Sequence, residues 1–155
     1  MPILGNMTEG LSSNCNVFYN PSVTFGDSSL YTREPYNERR NFMEAMENLL
    51  TRRSCRNYTE KQVPDELLDK VLEAGTFAAS GMNRQSTYLV AVRDKETRDL
   101  LSKINAGVMN SQNDPFYGAP CVVIVLVEPE RYTAVEDGSL VMGNLMQAAY
   151  DIGVG

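Results

Sequence analysis

Apolar residues recur with the spacing of an α-helix in four segments of the chain. In the second segment Pro64, Asp65 and Glu66 suit a first turn, because proline tolerates that position and carboxylates favour the positive end of the helix dipole. Asp94 can cap the third helix, and Gly153 is placed to end the fourth. The positions that form the four faces are Phe42, Met46, Leu49 and Leu50; Leu67, Leu68, Val71, Leu72, Gly75 and Ala78; Leu100, Leu101 and Ile104; and Leu140, Val141, Asn144, Leu145, Ala148, Ala149 and Ile152.

Two further segments have the composition of β-strands. The run from Thr87 to Val92 is strand-like, and the run from Cys121 to Val127 consists almost entirely of residues that favour strands. Because the second run has no polar alternation, it predicts a central strand that is buried on both faces. Two strands do not form an independently stable sheet. Either the N-terminal segment adds strands, or another chain adds them, or the sequence is incomplete.

The N-terminal segment differs in composition from the rest of the chain. Asparagine, proline, glycine and serine interrupt it, and no apolar period extends beyond a few positions. This composition predicts an extended or disordered arm. We therefore divide the chain into an irregular arm, residues 1–42, and one folded domain, residues 43–155.

Composition and charge exclude several classes of protein. The chain has 155 residues, of which 43% are hydrophobic and 22% are charged, and this suits a single globular domain. A net charge of −6 argues against binding to nucleic acid or to anionic membranes. No apolar run approaches the ~20 residues of a membrane span, and the N-terminus lacks the features of a secretory signal. We expect a cytoplasmic protein that binds neither nucleic acid nor a membrane.

The residue types that are present also limit the chemistry. Histidine is absent, which excludes Ser-His and Cys-His catalytic dyads and metal sites built on histidine. Cys15, Cys55 and Cys121 are an odd set without Cys-x-x-Cys spacing, which favours a reducing cytosol over disulfides or a zinc site. We therefore predict no metal site. Any chemistry must come from carboxylates, lysine, arginine, tyrosine, cysteine or a borrowed cofactor.

The most informative segment follows the first predicted helix. Arg52, Arg53 and Arg56 lie within five positions, and Ser54 adds a hydroxyl. Guanidiniums make planar, bidentate contacts with phosphate or carbonyl oxygens, so this cluster predicts a seat for one small anionic ligand. The alternative is structural: arginines near the end of a helix can satisfy its last carbonyl groups and its dipole.

The order of motifs along the chain resembles the FMN-dependent nitroreductase family. The resemblance covers roughly residues 43–155 and implies an α+β, nitroreductase-like fold with helices around a mostly antiparallel central sheet. The matching segments are Arg52-Arg53-Ser54-Cys55-Arg56-Asn57-Tyr58, Ala78-Ala79-Ser80-Gly81-Met82-Asn83-Arg84-Gln85, Phe116-Tyr117-Gly118-Ala119-Pro120, and a last stretch with Asp137-Gly138, Asn144-Leu145, Ala148-Ala149 and Gly153-Val154-Gly155.

The resemblance implies a cofactor and a set of residues that bind it. Arg52 and Ser54 would contact the phosphate and ribityl end of FMN with Arg53 nearby, and Arg56 would face the N1/C2-carbonyl edge of the flavin ring. A second set would reach the flavin of the partner subunit in a homodimer. NAD(P)H would be the electron donor and a nitroaromatic, quinone or similar small molecule the acceptor. The flavin carries the chemistry, so no catalytic side chain is expected. The second set is Ser80, Gly81, Asn83 and Gln85.

The chain also departs from the family pattern. Ala79 and Ser86 stand where the family usually has proline, and Thr87 stands where it usually has tryptophan. The family continues beyond Gly155 with two more strands and basic phosphate ligands, so we expect the domain to be incomplete at its C-terminus. The alternative function is therefore a catalytically incompetent fragment or remnant that acts as a weak flavin-binding or interaction module.

Overall fold

The computed structural model of the protein describes residues 15–18 and 44–154, and these residues form an α+β fold. None of the described helices is long and apolar enough to cross a bilayer. In chain order the elements are β1 (Cys15–Phe18), α1 (Ala45–Thr51), α2 (Asp65–Thr76), a 3₁₀ turn (Gly81–Asn83), β2 (Thr87–Val92), α3 (Lys95–Val108), β3 (Val122–Val127) and α4 (Ala134–Asp151).

The three described strands form one antiparallel sheet in the order β1-β2-β3. Cys15 lies opposite Val92 in one ladder, and Thr87 lies opposite Val127 in the other. β1 lies inside the arm that we expected to be irregular, so for residues 15–18 that expectation is wrong and the arm does add a strand. The other residues of the arm, including Phe42 of the first predicted helical face, lie outside the described residues.

The expectation that β3 is central and buried on both faces is wrong. β3 is the edge strand of the described sheet, its residues are only partly buried, and Leu126 is 49% exposed. Val123 and Val125 do contact the core, but from one face of the sheet. β2 takes the central position and buries Leu89 and Ala91. The run of strand-favouring residues therefore indicated a strand but not its position in the sheet.

The hydrophobic core lies where α2 and α4 pack against the sheet. Leu72 of α2 is almost fully buried, at 1% exposure, and Leu145 of α4 lies in the same cluster. The predicted face of α2 is confirmed, because Leu68, Val71 and Gly75 are also buried. Burying a side chain of this size stabilises the fold by about 1.5–3 kcal/mol. The sequence pattern thus identified the element that contributes the most residues to the described core.

The predicted faces of α1 and α3 are not buried against the described residues. Leu100 and Ile104 of α3 are 57% and 56% exposed, and α1 leaves its own apolar face exposed as well. α3 instead buries Arg98 and Ser102. α1 buries Asn48, whose side-chain amide donates to the backbone carbonyl of Gln147 in α4 at 3.0 Å. Polar contacts, rather than the apolar stripes, therefore attach these two helices. The exposed large apolar residues of α1 are Met46, Leu49 and Leu50.

α4 is longer than predicted and ends as predicted. It begins at Ala134, three residues before the expected start, and it stops before Gly153, which has φ +75°. Glycine adopts this left-handed conformation without steric cost, and such a residue commonly ends a helix. Leu140 is 50% exposed, so part of the predicted face of α4 points away from the described core.

We predict opposite stability effects for the same substitution at two helical glycines. A Cβ atom at Gly75 would lie 2.8 Å from Leu145 Cδ2, whereas a Cβ at Gly143 meets nothing within 4 Å. Gly143→Ala should raise the free energy of unfolding by about 0.5–1 kcal/mol through helix propensity. Gly75→Ala should lower it, because overpacking costs about 1–3 kcal/mol. Urea unfolding of both variants checks this, and equal shifts would contradict the close contact.

Candidate functional site

One cleft, of about 460 Å³, is lined by the loop after α1, by the loop before β3 and by one face of α4. This volume lies in the range of small-molecule sites. Arg52, Arg53, Ser54 and Arg56 all line it, so the structure brings together the first predicted set of site residues. Most of the remaining lining is apolar or aromatic. It includes Phe116, Tyr117, Cys121, Met142, Met146 and Tyr150.

The arginines of this cleft are not equivalent. Arg53 Nη1 donates to the carbonyl oxygens of Leu50 at 3.1 Å and of Arg52 at 2.9 Å. The structural alternative is therefore right for Arg53, which satisfies a carbonyl at the end of α1. The side chains of Arg52, Ser54 and Arg56 form no hydrogen bond or ion pair with any described residue. Their donors remain available to a ligand.

Arg56 is oriented by an aromatic contact across the cleft. Its guanidinium lies 5.9 Å from the centre of the Tyr117 ring, a distance at which a cation and a π face attract. Tyr58 holds the loop that follows α1, because its hydroxyl donates to the carbonyl of Cys55 at 2.9 Å. Burial and the neighbouring Cys55 raise the pKa of Tyr58, and Arg56 opposes this only in part. Tyr58 therefore remains a neutral donor at physiological pH.

Asp114 holds the loop that carries Phe116 and Tyr117, the aromatic wall of the cleft. Its carboxylate accepts hydrogen bonds from the backbone N–H groups of Phe116 at 2.9 Å and Gly118 at 2.8 Å. It also accepts from Ser102 Oγ at 2.6 Å and from Arg98 Nη2. Burial alone would raise the pKa of Asp114, but these hydrogen bonds outweigh it and hold the pKa well below its ordinary value. The carboxylate is thus a charged anchor for this wall of the cleft.

Arg98 links the same loop to α3. Its Nε donates to the carbonyl of Ala119 at 2.9 Å, and its guanidinium lies 5.6 Å from the centre of the Phe116 ring. Arg98, Ser102 and Asp114 were not predicted as site residues from the sequence. One signal was present: Asp114 precedes a proline and a glycine, a pattern typical of a turn stabilised by an aspartate side chain. Its long-range partners on α3 were not recognisable from spacing.

The second predicted set of residues does not line the cleft. Ser80 and Gln85 line a separate cavity of about 20 Å³. Asn83 is exposed, and Gly81 approaches the start of α4, where its N–H donates to Asp137 Oδ1 at 2.8 Å. The structure therefore places the two sets apart within one chain. That the second set serves the flavin of a partner subunit stays a prediction.

Comparison with known proteins identifies the class of fold and then the family that it resembles. Solved nitroreductases with bound FMN share this α+β fold: the one from Bacteroides fragilis has a TM-score of 0.65 and 31% identity, covering 72% of this chain and 66% of that chain. The one from Desulfitobacterium hafniense has a TM-score of 0.64 and 28% identity, covering 70% and 65%.

Sequence comparison agrees with the fold. Residues 49–115 match the model of the nitroreductase family. A protein of Archaeoglobus fulgidus provisionally named NADH dehydrogenase/NAD(P)H nitroreductase is 32% identical over 117 residues, which are 72% of this chain and 64% of that protein. One of the same name from Methanothermobacter thermautotrophicus is 30% identical, and the chain spans 59% of its length. The predicted resemblance to the FMN-dependent nitroreductase family is confirmed.

We predict that Asp114→Asn lowers the free energy of unfolding at pH 7 by about 1–3 kcal/mol, because it weakens the bonds to Arg98 and to the loop. The folded-state pKa of Asp114 lies below its ordinary value of about 3.9, so the stabilisation by its carboxylate is complete above that value and is lost as the pH falls through the folded pKa. The free energy of unfolding of the variant should therefore fall less steeply than that of the wild type as the pH is lowered.

Urea unfolding of the wild type and of Asp114→Asn between pH 7 and pH 2.5 measures this effect. Asp65→Asn is the matched control, because the Asp65 side chain is 77% exposed and its ion pair with Arg93 lies near the surface. Such pairs contribute about 0–1 kcal/mol. Acid dependence as steep in Asp114→Asn as in the wild type would contradict an anchoring role for this carboxylate.

Proposed function

We propose that this chain forms the FMN-binding part of a flavin-dependent oxidoreductase that passes electrons from NAD(P)H to a small-molecule acceptor, such as a nitroaromatic or a quinone. The observation that carries the proposal is the cleft lined by Arg52, Ser54 and Arg56, whose side chains form no hydrogen bond or ion pair with any described residue. The solved nitroreductases that share the fold contain FMN, and relatives carry names that include NAD(P)H.

The residues of the cleft fit a ligand with an anionic end and a flat ring. Guanidiniums and a hydroxyl suit a phosphate, because they offer several donors in a geometry that matches its oxygens. The wall that carries Phe116 and Tyr117 offers the apolar and aromatic surface that a ring system needs. FMN combines these two parts in one molecule. The donor set and the lining therefore agree with the cofactor that the resemblance implies.

Each residue of the cleft then has a separate task. Arg52 and Ser54 bind the phosphate and ribityl end, whereas Arg53 chiefly holds the end of α1. Arg56 faces the ring edge, where its positive charge favours added negative charge. Tyr117 keeps the Arg56 guanidinium in place. When bound, FMN supplies the electron-transfer chemistry. The residues of the chain therefore need to bind the cofactor, orient it and adjust its reduction potential, and they need not donate a proton.

The proposal extends to the assembly. A homodimer would bring Ser80, Gly81, Asn83 and Gln85 of one chain to the flavin held by the other, which accounts for their separation from the cleft within a single chain. A two-fold symmetric dimer uses the same surface of both subunits as its interface, so it would form two equivalent flavin sites. We also propose a cytoplasmic location, in agreement with the cysteine pattern.

An FMN titration with Arg56→Ala tests the site. We expect the wild-type chain to bind one FMN per subunit and Arg56→Ala to bind about 10- to 100-fold more weakly, since a charge-assisted contact is worth about 1.5–3 kcal/mol. The matched control is Arg131→Ala, which removes the same charge from a residue that pairs with Glu128 away from the cleft. Quenching of flavin fluorescence measures the dissociation constants.

The outcomes separate the proposal from its alternatives. NAD(P)H oxidation by the FMN-loaded chain, reduced in Arg56→Ala and unchanged in Arg131→Ala, would support the oxidoreductase. A folded chain that binds FMN but does not oxidise NAD(P)H would support a weak flavin-binding module. A folded chain that does not bind FMN would contradict the proposed site and favour an interaction module.

A further inference from the structure

The loop between α2 and β2 has an unusual backbone. Met82 and Asn83 both have φ +54°, and Gln85 has φ +48°. Residues other than glycine adopt positive φ rarely, because Cβ then crowds the backbone. Three such residues within four positions persist only where the surroundings fix them. A group outside residues 80–85 must therefore hold them in this conformation.

Asp137, in the first turn of α4, contacts this loop. Its side chain is buried, at 2% exposure, and Oδ1 accepts the backbone N–H of Gly81 at 2.8 Å. Oδ2 accepts from Thr133 Oγ1 at 3.1 Å, so each carboxylate oxygen has a donor. A buried carboxylate with partners on both oxygens holds a well-defined orientation. Asp137 thus connects the loop to a rigid helix.

The packing around Gly81 tightens this connection. A Cβ atom on Gly81 would overlap Thr133, so the loop reaches the carboxylate only because residue 81 has no side chain. Ser80 Oγ accepts the backbone N–H of Gln85 at 3.0 Å and closes the other end of the loop. Two hydrogen bonds therefore bracket the residues with positive φ.

We propose that Asp137 is a positioning residue that holds loop 80–85 in the conformation with positive φ at Met82, Asn83 and Gln85, and so presents Asn83 and Gln85 for ligand binding. The presentation step rests on the proposed function, since that function gives the loop its ligand. The restraint itself does not depend on a flavin. The two parts can therefore be measured separately.

The chemistry of the site determines the informative substitutions. In Asp137→Asn the amide oxygen can still accept from Gly81, and the amide nitrogen can donate to Thr133 Oγ1. Asp137→Ala removes both bonds and enlarges the neighbouring cavity of about 20 Å³, which Asp137 lines with Ser80 and Gln85. Asparagine should rescue the loop, and alanine should not.

Trypsin cleavage after Arg84 reports the state of the loop, because Arg84 is exposed inside it. With the full 155-residue chain, we expect the cleavage rate at Arg84 to rise at least 10-fold in Asp137→Ala and less than 3-fold in Asp137→Asn. Leu72→Val is the control, because it weakens the core away from the loop. In this control, cleavage at Arg84 should not rise more than cleavage elsewhere. Unchanged cleavage in Asp137→Ala, or a uniform rise at all sites, would overturn the proposal.

FMN binding tests the presentation step. If the wild-type chain binds FMN, Asp137→Ala should weaken binding at least 5-fold and Asp137→Asn should restore it to within 2-fold of the wild type. Equal affinities in all three would overturn the proposal. If the wild-type chain does not bind FMN, the proposed function fails, and presentation of a flavin ligand fails with it. Cleavage at Arg84 then decides whether Asp137 restrains the loop.

Discussion

The close approach of α4 to α2 at Gly75 is the constraint on which most of this structure depends. Leu145 occupies the space that the missing side chain leaves, and Leu89 of the central strand closes it from the sheet. Tight packing of this kind fixes a helix in position and in rotation, because side chains interdigitate with few voids. Asn144, next to Leu145, adds a hydrogen bond to the carbonyl of Ala74 at 3.0 Å. α4 is thereby fixed against α2.

α4 in turn positions two other parts of the described domain through hydrogen bonds. Near its C-terminal end the carbonyl of Gln147 accepts from Asn48, and the hydroxyl of Tyr150 donates to the carbonyl of Thr51, so α1 and the start of the arginine loop follow α4. In its first turn Asp137 holds Gly81. One helix therefore sets both the cleft that carries the guanidiniums and the loop that lies apart from it.

Two aspartates hold the two loops by the same physical means. Asp114 accepts two backbone N–H groups and Asp137 accepts one, in each case from a loop that contains residues with positive φ. Each carboxylate also accepts from a hydroxyl side chain. A charged acceptor makes these bonds stronger than neutral ones. A loop held by an anchored carboxylate keeps its shape without an apolar core of its own. Such rigidity is what a binding surface needs before a ligand arrives.

The parts that sequence reasoning could predict are those set by local pattern. The helix that carries Leu68, Val71 and Leu72 was recognisable from its apolar period, and the prediction was right because this face is buried within the same chain. The same pattern misled in α3, where Leu100 is exposed, since periodicity shows that a face is apolar and not what covers it. Likewise the run at β3 showed a strand but not its place in the sheet. The fold class was predictable mainly from the order of motifs.

The candidate site was predictable to a different extent at each residue. The arginine cluster could be located, since four of five consecutive positions carry its chemistry, but the separate role of Arg53 depends on the geometry at the end of α1. The long-range partners of the anchoring aspartates were not predictable from spacing. Asp137 finds its partner 56 positions away and Asp114 bonds α3 residues up to 16 positions away, and such distances follow from the packing of helices rather than from spacing.

This division of roles explains how the chain combines stability with side-chain donors that no described residue uses. Arg53 stabilises α1, so the cluster contributes to folding through one member. The side chains of Ser54 and Arg56 are exposed, and their polar groups stay hydrated at little cost to the fold. Arg56 gains its orientation from Tyr117, which is in turn held by the loop around Asp114. On a chain with a net charge of −6, affinity for an anion must come from such a local arrangement rather than from the overall field. In the proposed site the separate positions of Arg52 and Arg56, and not the number of arginines, therefore match the cleft to a ligand with an anionic end and a ring.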